Sequence, residues 1–321
     1  MRVLRAVVAL SFIAVPAALW AEVESADLPG TSKWYFHADF AEMRTTKAGR
    51  HLYGWLEKEV FEEVREETGV DVGKETDKVT AFAGSDESII IVVDGPISQE
   101  SKDKLVALGA ASGSMDQLGK GGSAYYHVKT DEAAGNDGDD GDDGEEAGAS
   151  FRDHYDAEPF EQGAFFSFAV PNKVIVTSTE ADIKTMLANK GRATNGKTAS
   201  GTLLVLSADK SLIQAGLNTD EFADEIGWDS NIIQNTEQLA LLIADEDGLV
   251  AIQAQLLAAE KEMAESLASI VRGLISLASF SDEVDPEISQ VLKTTEVAVD
   301  GGRLTVKVKL DPEVVVAALD D

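Results

Sequence analysis

The sequence contains no cysteine. That excludes a disulfide framework and a lipid carried on an N-terminal cysteine, so stability has to come from core packing. A chain of 321 residues can supply it, since one near 300 residues buries about 75% of its unfolded surface. Basic side chains are scarce. Against 27 Lys and Arg stand 58 Asp and Glu, a formal charge of −31. Nucleic acid and anionic lipid surfaces repel such a chain, which leaves cations, basic proteins and neutral surfaces as partners. The four histidines, His37, His51, His127 and His154, are scattered without the spacing of a zinc site. Beyond the first 20 residues no long apolar run occurs, so an integral membrane span is not expected.

That first run has the three parts of a cleavable secretory signal. Met1–Arg5 is a short basic start, Ala6 to Trp20 is apolar, and Ala21 offers a small residue before Glu22. Its 15 apolar-segment positions fall short of the roughly 20 a membrane span needs. The expectation is cleavage near Ala21 and a periplasmic or secreted mature chain.

Self-similarity is the next signal. Trp34 to Asp39 reads as a strand whose last residue opens a helix, with Asp39 and Glu42 at capping-box spacing. Thr202 to Asp209 repeats the strand–Ala–Asp–helix pattern. A hairpin follows in each half, around Gly84–Glu87 and around Asp245–Gly248, and then a helix, 98–108 and 258–278. Each half closes on a second hairpin, turning at Pro171-Asn172 and at Asp300-Gly301-Gly302, and a last helix. The expected fold is therefore α+β, two tandem copies of a strand–helix–hairpin–helix–hairpin–helix unit, with mostly antiparallel sheets and helices packed on one face. The divisions are a signal peptide 1–21, a lead-in 22–32, a first unit 33–190, a linker 191–200 and a second unit 201–321. The first unit holds an extra strand around Ala124–Val128 and an acidic, disordered loop over 130–150.

Three motifs invite chemistry. Gly191-x-x-x-x-Gly196-Lys197-Thr198 matches a phosphate loop, and Leu241–Asp245 imitates the strand that presents a magnesium-holding Asp. The element order is reversed, however, with a helix before the glycines and a strand after them, so a linker is the expectation. Ser207-x-x-Lys210 has the spacing of a serine acylase nucleophile and its lysine, but Ser207 ends a strand rather than starting a helix. In the acidic loop Asp137, Asp139, Asp140, Asp142 and Asp143 are weak metal candidates. They supply carboxylates without the turn and closing bidentate acid of a calcium loop, which suits weak calcium association. Asp39 and Asp209 hold equivalent places and read as helix caps.

Tyr35-Phe36-His37-Ala38-Asp39-Phe40 and Arg50-His51-Leu52-Tyr53-Gly54-Trp55-Leu56 resemble secreted bacterial α+β repeat proteins of uncharacterised function. The resemblance implies an envelope or secreted location and transfers no catalytic residue. The leading expectation is a non-enzymatic interaction or structural protein of the bacterial envelope, with no catalytic residue, no cofactor and an extracytoplasmic partner. One alternative is a calcium-responsive protein acting through the Asp/Gly-rich loop. Another is a hydrolase whose carboxylate site is assembled from distant parts of the chain.

Overall fold

In the computed structural model the described residues are 32–84, 88–111, 114–129, 160, 163–192, 201–217, 235–280 and 286–320. Among these residues twelve strands join in one antiparallel sheet, in the order β11-β12-β10-β9-β8-β1-β2-β3-β7-β6-β5-β4. Their ranges are β1 Trp34–Asp39, β2 Lys78–Ala83, β3 Ile89–Asp94, β4 Ser114–Leu118, β5 Tyr125–Lys129, β6 Ala164–Ser167, β7 Lys173–Thr177, β8 Thr202–Asp209, β9 Thr236–Glu246, β10 Leu249–Ala258, β11 Glu296–Asp300 and β12 Arg303–Leu310. The two halves of the sequence share this sheet through β1 and β8, which run antiparallel with Trp34 opposite Ala208, Phe36 opposite Leu206 and Ala38 opposite Leu204.

Around β1 the alternation of side chains defines two faces. Tyr35, Phe82, Ile90, Ile175, Val205 and Leu242 lie on one, here the first face. The helix α6, Glu180–Ala188, covers it with Ile183, Met186 and Leu187. Phe36 and Ala38 point to the second face. There α1 (Phe40–Thr45), α2 (Lys47–Leu56), a π-helical turn (Glu57–Phe61), α3 (Glu62–Thr68) and α4 (Val72–Glu75) follow one another. Phe40, Met43, Leu52 and Phe61 of this group pack with Ala38, Leu203 and Val250. Also on the second face, α8 (Lys261–Ser279) sets Leu267, Ala268 and Val271 against Leu256, Leu304 and Val306. The remaining helices are α5 (Gln99–Ala111), α7 (Lys210–Leu217), α9 (Pro286–Thr294) and α10 (Pro312–Asp320).

Helices thus pack on both faces of the sheet, which corrects the expectation of one covered face. The cause is visible in β3, where Ile89-Ile90-Ile91-Val92-Val93 is apolar at every position. A strand without polar alternation needs apolar neighbours on both sides. The helix expected after Asp39 also breaks at Thr46, whose backbone is extended (φ −84°, ψ 161°). Gly49 permits the fold-back, because a Cβ there would lie 2.6 Å from the Met43 backbone. Three elements were not foreseen, α4, β4 and α9. The signal region 1–21, the acidic loop and residues 193–200 of the linker fall outside the described residues.

Candidate binding surface

One register row crosses all twelve strands on the second face. From β4 to β11 it reads Gln117, Tyr126, Phe166, Val176, Ile91, Ala81, Phe36, Leu206, Leu241, Ala254, Val306 and Val297. Apart from Gln117 and the hydroxyl of Tyr126, the row is apolar. Toward one end the row passes beneath α5, where Gly109 lies over Phe166 and Val128. Toward the other, Ala254 and Val306 are buried, and Val306 packs with α8. Between these covers Val176, Ile91, Ala81, Phe36 and Leu241 are half-buried, Phe36 against the cluster formed by α1, α2 and Phe61, and Leu206 is 44% exposed. On the first face of the same strands, Phe82, Ile90, Val92, Ile175, Val205 and Leu242 are buried. Six strands at about 4.8 Å spacing make this half-open apolar floor about 24 Å wide.

Two polar clusters of the sheet lie on the first face. In the first, Asp39, Lys78, Asp94 and Lys173 form one row across β1, β2, β3 and β7. Lys78 Nζ sits 2.6 Å from Asp39 Oδ2, and Lys173 pairs with Asp94. The neighbouring row holds His37, buried, with Nδ1 2.9 Å from Thr80 Oγ1 and Nε2 enclosed without a hydrogen-bond partner. Burial above all, and then the Lys78 charge, lowers the pKa of this imidazole; Asp39 and Asp94 pull the other way. The ring is therefore neutral at pH 7.

The second cluster centres on Lys307, whose side chain is only 4% exposed. Its Nζ is 2.5 Å from Glu246 Oε1, while Lys309 Nζ is 2.9 Å from Glu246 Oε2. Glu296 faces Lys307 across the β11–β12 pair. Burial lowers the Lys307 pKa against the pull of Glu246, and burial raises that of Glu296 against Lys307 and Lys309. Perturbed acids and bases mark active sites, but ion-pair networks perturb pKa values as well. Both Glu246 oxygens are already taken by lysines, the arrangement of a structural network.

The sequence candidates separate clearly. Asp137, Asp139, Asp140, Asp142 and Asp143 lie outside the described residues, and no cluster able to hold a metal occurs among those described. Gly191 follows α6 with φ +65° and β8 begins at Thr202, while Gly196, Lys197 and Thr198 of the phosphate-loop match lie outside the described residues. Asp245 caps α2 from a distance. Its Oδ2 accepts from Ala48 N at 2.6 Å and its Oδ1 from Gly248 N. Ser207 is buried on β8, and Lys210 pairs with Glu237. Asp39 Oδ1 accepts from Glu42 N and Asp209 Oδ1 from Leu212 N, as caps do. Sequence reasoning missed the floor. The available signal was a surplus of strands apolar at both parities over amphipathic helices able to cover them.

No helix among the described residues is long and apolar enough to cross a membrane. No family model and no curated protein matches the chain. Among solved structures, crystal form III of TP0453 aligns with a TM-score of 0.48 and 8% identity, covering 94% of this chain and 99% of that one. Crystal form IV of TP0453 aligns with a TM-score of 0.47 and 10% identity, over 90% and 93%.

Proposed function

We propose that this chain is an exported, non-enzymatic interaction protein of the bacterial envelope, and that the apolar floor around Phe36 and Leu206 receives a partner's amphipathic helix. The observation that carries the reading is the unbroken apolar row with its half-open centre. Helices already lie against the same face on either side, so another helix fits the layer that is missing. The formal charge of −31 favours a partner helix with basic flanks.

A photo-crosslinking side chain at Leu206, in the protein expressed in its own host, tests this. The expected result is a discrete crosslinked partner, lost when Ile91→Glu and Leu241→Glu are added and weakened by salt. Control crosslinkers at Lys184, on the exposed side of α6, should not capture it. Equal capture from both positions would sink the proposal. A calcium-dependent rise in melting temperature that disappears on deletion of residues 131–147 would favour the calcium-responsive alternative instead.

The tandem-copy reading belongs with this proposal. Outward from β1 the strands run β2, β3, β7, β6; outward from β8 they run β9, β10, β12, β11, the same sequence of connections. With Asp39 matched to Asp209, Phe36 matches Leu206, the residue it faces. A local two-fold axis through that pair would relate the halves and place the floor on the axis.

A further inference from the structure

We propose that α8 pairs antiparallel with α8 of a second copy of this chain, the two helices crossing near Gly273. Helix α8 buries Ala264, Leu267, Ala268 and Val271 against its own sheet. Beside that face it presents a second apolar stripe that no described residue covers. Ile270 is 54% exposed, Leu274 43%, Leu277 72% and Phe280 82%. Ile270, Leu274 and Leu277 follow the i, i+4, i+7 spacing of one helix face and run for about 10 Å. Isolated exposed apolar residues are ordinary, but a contiguous patch marks an interaction surface.

Two further observations select a copy of the same chain as the occupant. The first is charge. From Ser266 to Phe280 there is no Asp or Glu, in a chain that carries 58 of them. The one cation of this stretch, Arg272, donates from Nη2 to the Val297 carbonyl at the sheet edge. Copies of a chain at −31 repel one another, and this segment is a place where they can meet without opposing carboxylates. The second is Gly273. A glycine in an exposed helix interior weakens the helix, and a Cβ added here would meet nothing within 4 Å. No neighbour among the described residues accounts for it. A second backbone crossing close by does, and the large side chains on either side then fill the space around the partner's glycine. Such a contact is isologous and closes at a dimer.

Sedimentation velocity and disulfide trapping on the purified protein test the proposal. The expected results are a dimer at micromolar concentration, tightened by salt because screening relieves the mutual repulsion, and loss of that dimer in Leu277→Glu. Gly273→Ala should raise the melting temperature of the subunit yet weaken association roughly tenfold, a combination that misfolding cannot produce. The chain lacks cysteine, so Gly273→Cys gives an unambiguous report. Two such residues crosslink only where helix axes approach closely. Lys261→Cys pairs would stand roughly 36 Å apart and should stay reduced. A monomer at all salt concentrations overturns the proposal, as does equal crosslinking at both positions. Binding of Ile270 and Leu277 to neutral phosphatidylcholine vesicles by a protein that stays monomeric assigns the stripe to a lipid surface instead and equally overturns it.

Discussion

Removing Glu246 should cost more stability than removing the buried lysine it holds. Lys307 has a side chain 4% exposed, and Glu246, at 24%, bridges it to Lys309. Replacing Lys307 with Met keeps the stem volume and removes the charge, so the desolvation cost of the ammonium disappears together with its ion pair. For such exchanges the balance runs from neutral to about 4 kcal/mol stabilising. Glu246→Gln leaves the ammonium enclosed with weaker compensation. Breaking a buried pair costs about 3–5 kcal/mol. Because Glu246 is partly hydrated and Glu296 lies across the strand pair from Lys307, the low end, about 3 kcal/mol, is expected. Urea unfolding of both single variants and the double variant reads these values directly. In the double variant, Lys307→Met should recover most of the Glu246→Gln loss, since no charge is left stranded. If Lys307→Met is the more damaging change, or if the two losses add, the ion pair is not the organising interaction here and the argument fails.

Two further outcomes follow from particular groups. The His37 pKa is held below its ordinary value near 6.5, so on acidification the unfolded chain binds a proton before the folded one does. Its contribution to stability is complete above about pH 6.5 and declines as pH falls from there toward the folded pKa. In His37→Asn the slope of unfolding free energy against pH should flatten in that window, and an unchanged slope would place the titration elsewhere. Gly49→Ala should destabilise strongly, by about 3 kcal/mol as a core overpacked against rigid backbone, because its Cβ would lie 2.6 Å from Met43 O. Gly54→Ala, on the same helix and open to solvent, should stabilise by about 1 kcal/mol. Thermal melts of the two variants should therefore move in opposite directions.

What the sequence made legible was local. The hairpin turns were readable because Asn172 and Asp247 take positive φ and Gly248 follows, which those residue types tolerate. The caps at Asp39 and Asp209 were readable because an Asp three residues before a free amide has one obvious use. The joining of the halves was not. Nothing local records that Phe36 will lie opposite Leu206, since the pairing depends on which sheet edge is left open after every nearer strand has found its place. The side taken by each helix was equally hidden in Ile89–Val93, where both parities are apolar and only topology decides which is covered first. For the same reason the floor could not be named in advance. Half-covered and fully covered apolar strands have the same composition.

The pairing of β1 with β8 also sets an order of events. Among the described residues, strand pairing between the two halves passes through these two strands alone. A chain made from its N-terminus completes Trp34–Asp39 long before Thr202–Asp209 exists, so one flank of β1 stays without its hydrogen-bonding partner while the next 160 or so residues are added. During that interval the first half carries an open, apolar strand edge, the species most prone to pair with the wrong chain. The most hazardous stage in the life of this protein is therefore the half-made one, when the seam that later sits in the middle of the sheet is still its border.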